Sequence, residues 1–324
     1  MRILSADEID RALDFPALID ALRDAFAARH HAPPRHHHGV AREGAATATH
    51  LLMSAWTQGA PGAGQFIGTK IVNVFPENGK LGLPAVLGVY VLQSGESGAP
   101  LAVMDGTRLT HWRTAAASAL AASYVARKDA SRLLMVGAGA LSPFLARAHR
   151  AVRPITRVEI WNHRREGAER VAQALREEGI DARAVGDLEA AARAADVISC
   201  ASLSTEPLVR GAWLKPGAHL DLDGAFNLQM READDAAVAR ARVFIDTQAA
   251  KTEGGDVALA IKAGAVSAAH VEADLEALCG GGFDVRRKDG DVTLFKSVGA
   301  AVEDLAAAML VWRRVTTHDL ELSK

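Results

Sequence analysis

The stretch 132–165 constrains the fold of this chain more than any other. It opens with the apolar run 133–136, which is typical of a strand buried on both faces. Gly137-Ala138-Gly139 follows, and glycines let the backbone turn sharply and approach a ligand closely. A second strand is predicted over 157–161, and the helix between the two strands has one apolar face. That face consists of Leu141, Phe144, Leu145, Ala148 and Val152.

A phosphate group is the natural ligand of such a turn, because the N-terminal amides of the helix point at it. The order of strand, glycine turn, helix and strand favours a dinucleotide, although Ser142 stands where a third glycine is usual. The alternative is an ordinary tight turn. After the second strand the chain reads Asn162-His163-Arg164-Arg165, where an NAD site would have a carboxylate. Guanidinium groups attract a 2′-phosphate, so NADP(H) is favoured over NAD(H), unless the arginines only face solvent.

Helices and strands continue to alternate after this unit. Helices are predicted over 168–175 and 188–195, and strands over 182–185, 197–201, 219–222 and 243–246. Such alternation is typical of a doubly wound parallel sheet, and it predicts a Rossmann-type α/β domain.

The residues before this domain follow a different pattern. Short β-type runs over 49–53, 68–74, 85–92 and 101–104 are separated by turn residues at 78–79 and 95–98, which predicts a mostly antiparallel sheet. A last helix over 302–312 has one apolar face and is expected to return to this part of the chain. The predicted fold is therefore α/β, with a second, α+β domain that is discontinuous in sequence.

Composition argues against several classes of function. A formal net charge of −2 gives no electrostatic reason to expect nucleic acid or an anionic membrane surface. The sequence contains no recognisable signal peptide or membrane span. Cys200 and Cys279 are expected to be reduced, which suits the cytoplasm. No metal site is expected, because no second group of ligands follows His36-His37-His38 at a fixed spacing.

Two basic residues stand in apolar surroundings. Lys70 lies within the run 68–74, where burial would require an anionic partner; the alternative is that Lys70 faces solvent from the wet side of the sheet. Arg113 is predicted to lie in the first turns of a helix over 110–126. A cation near the positive end of a helix dipole indicates an anionic ligand.

Four motifs together resemble one protein family. These are Gly68-Thr69-Lys70, Thr110-x-x-Arg113-Thr114-Ala115-Ala116, the segment 136–140 (VGAGA) and the segment 292–299 (VTLFKSVG). They occur in the order and spacing of the ornithine cyclodeaminase/mu-crystallin family. The resemblance implies a homodimer whose N-terminal sheet forms the interface. It further implies a substrate-binding and dimerisation domain (1–116 and 297–324), a Rossmann domain (117–296) and an active site in the cleft between them.

The resemblance also implies where the ligands bind. The basic residues that hold the substrate carboxylate in this family match Arg35, Lys70 and Arg113, with Arg42 as the alternative to Arg35. Lys70 and Arg113 are the expected catalytic residues. The substrate ring is expected against Phe226 and Met53. The expected cofactor-binding residues lie in or beside the matched motifs and at the end of the second strand: Gly137, Ala138, Gly139, Ala140, Asn162, Arg164, Thr114, Ser297, Val298 and Gly299.

Two positions depart from the cyclodeaminases of the family. Where those enzymes have an Asp that serves the amine chemistry, this chain has Phe226, which neither exchanges a proton nor holds an ammonium group. Lys296 stands where they commonly have Asp, and the sequence gives no physical reason for this change. The chain therefore resembles the imine reductases of the family. These use NAD(P)H to reduce Δ1-pyrroline-2-carboxylate to proline or Δ1-piperideine-2-carboxylate to pipecolate.

Three other functions stay open at this point. Ornithine or lysine cyclodeamination is disfavoured by the missing acid. An amino-acid dehydrogenase or reductive aminase would act on open-chain substrates with the same carboxylate site. A non-catalytic small-molecule binder, as mu-crystallin is known to be, would retain the fold without the reaction.

Overall fold

Three segments of the chain form two units of structure. The structure, a computed structural model, describes residues 1–60, 62, 64–285 and 288–322, with side chains as far as residue 317. Met1–Arg113 and Ala300–Lys324 form the first unit, and Thr114–Gly299 forms the second. The limits of the units lie three residues from the predicted domain boundaries at 116/117 and 296/297.

The first part of the chain is mostly β-structure. Its elements in order are β1 (Arg2–Leu4), α1 (Ala6–Ala12), α2 (Phe15–Ala27), β2 (His30–His31), β3 (His36–Val40), β4 (Ala48–Thr57), β5 (Phe66–Val74), β6 (Val86–Ser94), β7 (Pro100–Asp105) and α3 (Gly106–Val125). Within the described residues, the strands form a seven-stranded sheet in the order β1-β7-β6-β5-β4-β2, and β3 also pairs with β4. All pairs are antiparallel except β1 with β7, as the sequence predicted.

One row of this N-terminal sheet bears on function. Met53 pairs with Lys70 and Lys70 pairs with Tyr90, while Met104 continues the row on β7. Cross-strand partners point to the same face of a sheet, and all four side chains are buried. The strands β4, β5 and β6 contact the last helix of the chain. Lys70 is therefore on the buried side of the sheet and not on the wet side.

The second unit is built on a parallel sheet. Its elements in order are β8 (Arg132–Val136), α4 (Ser142–Val152), β9 (Arg157–Trp161), α5 (Arg165–Glu177), β10 (Ala182–Ala184), α6 (Leu188–Ala194), β11 (Val197–Cys200), β12 (His219–Leu222), α7 (Asp235–Arg240), β13 (Arg242–Ile245), α8 (Gly255–Lys262), β14 (Val271–Asp274), α9 (Leu275–Cys279) and β15 (Thr293–Lys296). The helix α10 (Ala301–Leu322) then belongs to the first unit.

The strand order of the second unit confirms a doubly wound fold. Among the described residues, eight parallel strands follow the order β10-β9-β8-β11-β12-β15-β13-β14. The chain leaves β8 toward one edge of the sheet and reaches β11 on the other side of β8. Such a switch point opens a crevice at the carboxyl ends of these strands, where α/β sheets bind their ligands. The glycine turn follows β8 directly.

Several elements differ from the sequence-based prediction. The helix α3 starts at Gly106, because the Asp105 carboxylate accepts the Arg108 amide at 2.7 Å and caps the first turn. Arg113 therefore lies in the third turn of the helix, and the prediction that it meets the positive end of the helix dipole is wrong. The sequence also missed β15, which is inserted between β12 and β13. No helix in the described ranges is both long and apolar enough to cross a membrane.

Candidate active site

The turn after β8 requires glycine at its first position. Gly137 has a φ of +112°, and a Cβ atom there would lie 2.5 Å from the carbonyl oxygen of Ala201, just after β11. Both the conformation and the space exclude a side chain. The Gly137 amide donates to the Trp161 carbonyl at 2.9 Å, which fixes the turn to the end of β9.

The space around Gly139 is open instead. Apart from Gly139 itself and its two chain neighbours, no atom of the described residues lies within 4 Å of the place where its Cβ would be. The turn leads into α4, and Leu141 at the start of this helix makes no side-chain capping hydrogen bond. Ser142 is buried, and its hydroxyl donates to the Gly137 carbonyl at 2.8 Å, so it holds the turn together in place of a third glycine. This arrangement fits a pyrophosphate group, which needs close backbone approach and helix amides.

The turn forms one wall of a cleft with a volume of about 370 Å³. The other walls are 161–163 after β9 and 201–204 after β11, together with Leu208. Asn162 lines the cleft, and its side-chain amide donates to the Arg164 carbonyl at 2.9 Å. Arg164 and Ala140 are exposed beside these walls. The carboxyl ends of β8, β9 and β11 thus surround the predicted dinucleotide site.

A buried carboxylate joins one loop of the cleft to the loop after β12. Glu232 accepts hydrogen bonds from the Ser202 amide at 2.6 Å and the Ser202 hydroxyl at 2.8 Å. It also accepts from the Gly224 amide at 2.7 Å, after β12. Burial, and next the neighbouring charge of Asp256, raise the pKa of Glu232 from 4.5 to about 7. This carboxylate holds the cleft loop of Ser202 against the loop that carries Phe226.

Lys296 has a structural explanation that the sequence did not offer. Its side chain is fully buried, and its ammonium group lies 3.3 Å from the Asp256 carboxylate. It also donates to the Leu222 carbonyl at 3.1 Å. A buried charge requires such partners. Asp256 in turn accepts the Glu232 and Ala233 amides at 2.7 and 2.9 Å. Lys296 therefore balances the charge of the carboxylate that holds the backbone at Glu232.

The segment 297–299 is fixed by one carboxylate. Asp246, just after β13, accepts from the Ser297 hydroxyl at 3.2 Å and from the Val298 and Gly299 amides at 2.7 and 2.5 Å. Gly299 has a φ of +82°, which favours glycine at this bend. The segment predicted to contact a nicotinamide is therefore held in place by Asp246, and its Val298 and Gly299 amides already have an acceptor.

Lys70 and Arg113 converge in the first unit. Lys70 is 3% exposed, and its ammonium nitrogen lies 2.8 and 3.0 Å from the two carboxylate oxygens of Asp304 on α10. Arg113 is 5% exposed; its Nε donates to Asp304 at 3.0 Å and its Nη1 donates to Glu303 at 2.7 Å. The two cations thus share one carboxylate. Desolvation, and next the charge of Arg113, lower the pKa of Lys70 from 10.5 to about 8.

The backbone brings Arg35 to the same row of the sheet. Arg35 comes just before β3, whose first pair joins His36 to Leu52. Met53, the next residue on β4, is the partner of Lys70. The alternative residue, Arg42, is used in its own loop, where it donates to the Ala46 carbonyl at 2.9 and 3.0 Å.

Tyr90 explains the glycine of the Gly68-Thr69-Lys70 motif. A Cβ atom on Gly68 would lie 1.8 Å from the Tyr90 hydroxyl, so the phenol occupies the space that a side chain would need. The Tyr90 hydroxyl is buried, and it has no hydrogen-bond partner among the described residues. Burial, and then the charge of Asp304, raise its pKa well above the ordinary value. The phenol is therefore uncharged beside the pair of cations.

The remaining predicted residues lie on separate elements. Thr114 is buried on α3 next to Arg113. Phe226 is half-buried in the loop after β12. In the same loop Asp223 is buried, and it accepts from the Ser118 hydroxyl at 2.9 Å. Burial, and next the charge of Asp221, raise the pKa of Asp223 well above its usual range.

Sequence reasoning missed the carboxylates that hold these groups. Glu303 and Asp304 stand in the first turn of α10 among apolar residues and are fully buried. Two adjacent acids inside an apolar helix face were a signal, because such groups need cationic partners. Glu232, Asp246 and Asp256 lie in loops or short elements, where no periodicity points to burial.

Known proteins resemble this chain over most of its length. The sequence profile of the ornithine cyclodeaminase/mu-crystallin family matches residues 2–319. A Δ(1)-pyrroline-2-carboxylate reductase of Paracoccus denitrificans is 40% identical over 273 residues, which cover 83% of this chain and 84% of that protein.

Two solved structures share the whole fold. Thermococcus litoralis Δ(1)-pyrroline-2-carboxylate reductase, in complex with NADH and L-proline, has 29% identity and a TM-score of 0.92 and covers 98% of both chains. An archaeal alanine dehydrogenase dimer with bound NAD has 29% identity and a TM-score of 0.89, over 98% of this chain and 97% of that one. The resemblance inferred from the motifs is confirmed, and the chain belongs to the ornithine cyclodeaminase/mu-crystallin family.

Proposed function

We propose that this protein is an NAD(P)H-dependent reductase of cyclic α-imino acids. The observation that carries the proposal is the convergence of Lys70 and Arg113 in one buried cluster. Buried cations of this kind bind a carboxylate strongly, because their hydrogen bonds are charge-assisted and little water competes. The reductase from Thermococcus litoralis, in complex with NADH and L-proline, supports a cyclic amino acid as product.

The residues of the chain divide the work of binding and orientation. Arg35, Lys70 and Arg113 bind the substrate carboxylate and fix the plane of the C=N bond. A substrate held in a productive geometry has a lower barrier to reaction. The ring lies against Met53 and Phe226. The glycine turn and the start of α4 bind the pyrophosphate, and 297–299 borders the nicotinamide. The nicotinamide, when bound, supplies the hydride for the imine carbon.

Cyclodeamination is less suitable for these residues. This reaction needs a carboxylate that exchanges a proton with the amine or holds its ammonium group, and Phe226 stands at the position of that carboxylate. The nearby Asp223 is a poor replacement, because it is bound by Ser118 and its raised pKa favours the uncharged form. An open-chain reaction is the second candidate, because the archaeal alanine dehydrogenase shares the fold over the full chain.

We also propose that NADPH is preferred over NADH. Asn162 and Arg164 follow β9, where a 2′-phosphate would lie, and no carboxylate stands there to repel it. NAD(H) stays a usable cofactor, as it is in the two solved relatives. Replacing Arg164 with Ala should lower the ratio of kcat/KM for NADPH to that for NADH about tenfold. Arg165→Ala is the matched control, because Arg165 is paired with Glu169; a wild-type preference for NADH would contradict the proposal.

The N-terminal sheet is proposed to form a homodimer. Large apolar side chains are exposed on its strands, among them Ile3 (79%) and Val89 (42%). Exposed apolar side chains on a sheet favour a protein interface, and a second copy of the chain offers the complementary surface by symmetry. The dimeric alanine dehydrogenase supports this proposal.

The proposed function is tested with a panel of substrates. Cyclic imino acids with five- and six-membered rings, and pyruvate with ammonia or methylamine, are each supplied with NADPH and with NADH. Loss of the reduced cofactor with a cyclic imine, and formation of proline or pipecolate, is the expected result. Turnover of pyruvate with an amine alone would favour the open-chain reaction, and ammonia release from ornithine would restore cyclodeamination. Cofactor binding without any turnover would indicate a binding protein.

A further inference from the structure

Two carboxylates accompany the cations of the proposed substrate site. Glu303 and Asp304 are both 0% exposed. They lie in the first turn of α10 and face Lys70 and Arg113. Asp304 contacts both cations, and Glu303 contacts Arg113 at 2.7 Å. All four groups belong to the first unit, so their arrangement is fixed by one body of the protein.

The formal charges of this cluster add up to zero. When Lys70 and Arg113 are protonated and Glu303 and Asp304 are ionised, two positive groups face two negative groups. A bare carboxylate would add an unbalanced negative charge to a site from which water is excluded, and burial of an uncompensated charge is strongly unfavourable. A ligand that brings a carboxylate and one positive charge leaves the balance unchanged.

The charged groups of the cluster are complementary to the two charges of a protonated α-imino acid. In such a molecule the nitrogen and the carboxylate are attached to the same carbon. A carboxylate bound by Lys70 and Arg113 therefore keeps its nitrogen close to the cluster. Because Glu303 and Asp304 are 0% exposed, they act on this nitrogen through their charge and not through contact. Asp304 lies 2.8 Å from the Lys70 ammonium and 3.0 Å from the Arg113 Nε, so it is the acid that contacts both cations.

We infer that Glu303 and Asp304 are the counter-ion of the substrate's protonated imine nitrogen, and that the site accepts the imino acid as a net-neutral iminium carboxylate. The inference rests on the proposed function and assigns the charge state of its substrate. The hydride forms the new C–H bond at the iminium carbon, and the π electrons of the C=N bond stay on nitrogen as its lone pair. The nicotinamide is oxidised, and the nitrogen keeps the proton with which it arrived. No acid of the protein has to deliver a proton during hydride transfer.

The test compares two ligands that differ in the charge on nitrogen. L-proline has a carboxylate and a positive ring nitrogen, whereas pyrrole-2-carboxylate has the carboxylate and an uncharged ring nitrogen. Their dissociation constants are measured by calorimetry with the NADPH-loaded wild-type protein, with Glu303→Gln and with Asp304→Asn. Asp20→Asn serves as the matched control, because Asp20 lies on the exposed side of α2.

The inference predicts opposite responses of the two ligands. Each variant makes the cluster more positive, so proline should bind at least tenfold more weakly, while pyrrole-2-carboxylate binds as well as before or better. The control should bind both ligands like the wild type. Equal weakening of both ligands would mean that the acids only hold the cations in place, and unchanged binding of both would also overturn the inference.

A measurement on the wild type covers the case in which both variants fail to fold. The charged and titratable groups that face Lys70 are Arg113 on α3, Glu303 and Asp304 on α10, and Tyr90 on β6. Near pH 8, pyrrole-2-carboxylate should bind with more proton uptake than proline, because an added negative charge raises the pKa of Lys70. Calorimetry in buffers of different ionisation enthalpy gives the number of protons; equal uptake for both ligands would overturn the inference.

The inference and the proposed function fail in different ways. If the wild type reduces cyclic imines and the two ligands respond alike, only the role of the acids is wrong. If the wild type neither reduces cyclic imines nor binds proline, the proposed function itself is wrong, and the inference is overturned with it.

Discussion

Lys70 shows what single residues reveal in the sequence and what they conceal. A lysine in an apolar strand requires an anionic partner, and this requirement was readable from the pattern around it. The partner itself was not, because Asp304 is 234 positions away along the chain and reaches Lys70 only through the packing of α10 on the sheet. Phe226 was identified through the resemblance to the family, whose cyclodeaminases have Asp at this position.

The activity should fall as the pH rises through about 8. Lys70 has a pKa lowered to about 8 in the free protein, so above this pH it loses the charge that we propose binds the substrate carboxylate. We expect kcat/KM with saturating NADPH to decrease up to tenfold for each further pH unit. The Lys70→Arg variant should be slower, but it should lose this part of the decrease, because a guanidinium does not titrate in this range. A wild-type profile that stays flat to about pH 10 would contradict the role of Lys70.

The contribution of Lys70 to the free energy of unfolding should rise over the pH range in which the activity falls. The pKa of Lys70 is lower in the folded chain than its ordinary value of 10.5. The contribution of this group to stability is therefore complete above pH 10.5 and is lost as the pH falls through about 8. Denaturant unfolding at several pH values thus separates loss of the Lys70 charge from alkaline unfolding. A parallel loss of activity and of the free energy of unfolding would indicate unfolding.

At the scale of elements, the βαβ unit was the most predictable part of the chain. Its strand, glycine turn and helix are local in sequence, and each leaves a periodic pattern. β15 was not predictable as the neighbour of β12 and β13, because its place depends on the packing of the whole sheet. The start of α3 was missed for a local reason, since the capping role of Asp105 was overlooked.

The two glycines of the turn should respond differently to the same substitution. Gly137→Ala places a Cβ atom at a φ of +112° and 2.5 Å from a carbonyl oxygen, so we expect it to destabilise the protein by about 2 kcal/mol or more. Gly139→Ala has room for the Cβ and should leave the melting temperature nearly unchanged. It should still weaken NADPH binding about tenfold, because the methyl group occupies the approach of the pyrophosphate. Thermal unfolding and fluorescence titration measure both effects; normal NADPH affinity in Gly139→Ala would argue against a pyrophosphate at this turn.

At the scale of the whole molecule, the two-unit α/β architecture followed from the sequence because period and order of elements determine fold class. The buried polar scaffolds did not follow from it. Glu232 joins loops after different strands, and Asp246 fixes a segment 51 to 53 positions away. Such contacts become visible only when the chain is folded, since neither charge nor periodicity marks them beforehand.

The homodimer proposal predicts the effect of one surface charge. Val89 is 42% exposed and lies on the opposite face of the N-terminal sheet from the buried Tyr90. Lysine at this position would bring a charge into the apolar interface, and the carboxylate of Asp105, its cross-strand neighbour, already accepts the Arg108 amide, so Val89→Lys should dissociate the dimer at micromolar concentration. Leu228→Lys, at a 45% exposed leucine of the second unit, is the matched control. Sedimentation velocity gives the masses, and an unchanged dimer in Val89→Lys would exclude this face as the interface.

The proposed function depends on hydride transfer from a nicotinamide to the carbon of a C=N bond. The most direct measurement uses NADPH with both hydrogens at C4 of the nicotinamide replaced by deuterium, and Δ1-pyrroline-2-carboxylate as substrate. The proposed mechanism predicts proline that carries one deuterium at its α-carbon, detected by mass spectrometry and NMR. Proline without deuterium at the α-carbon, or no proline at all, would contradict it.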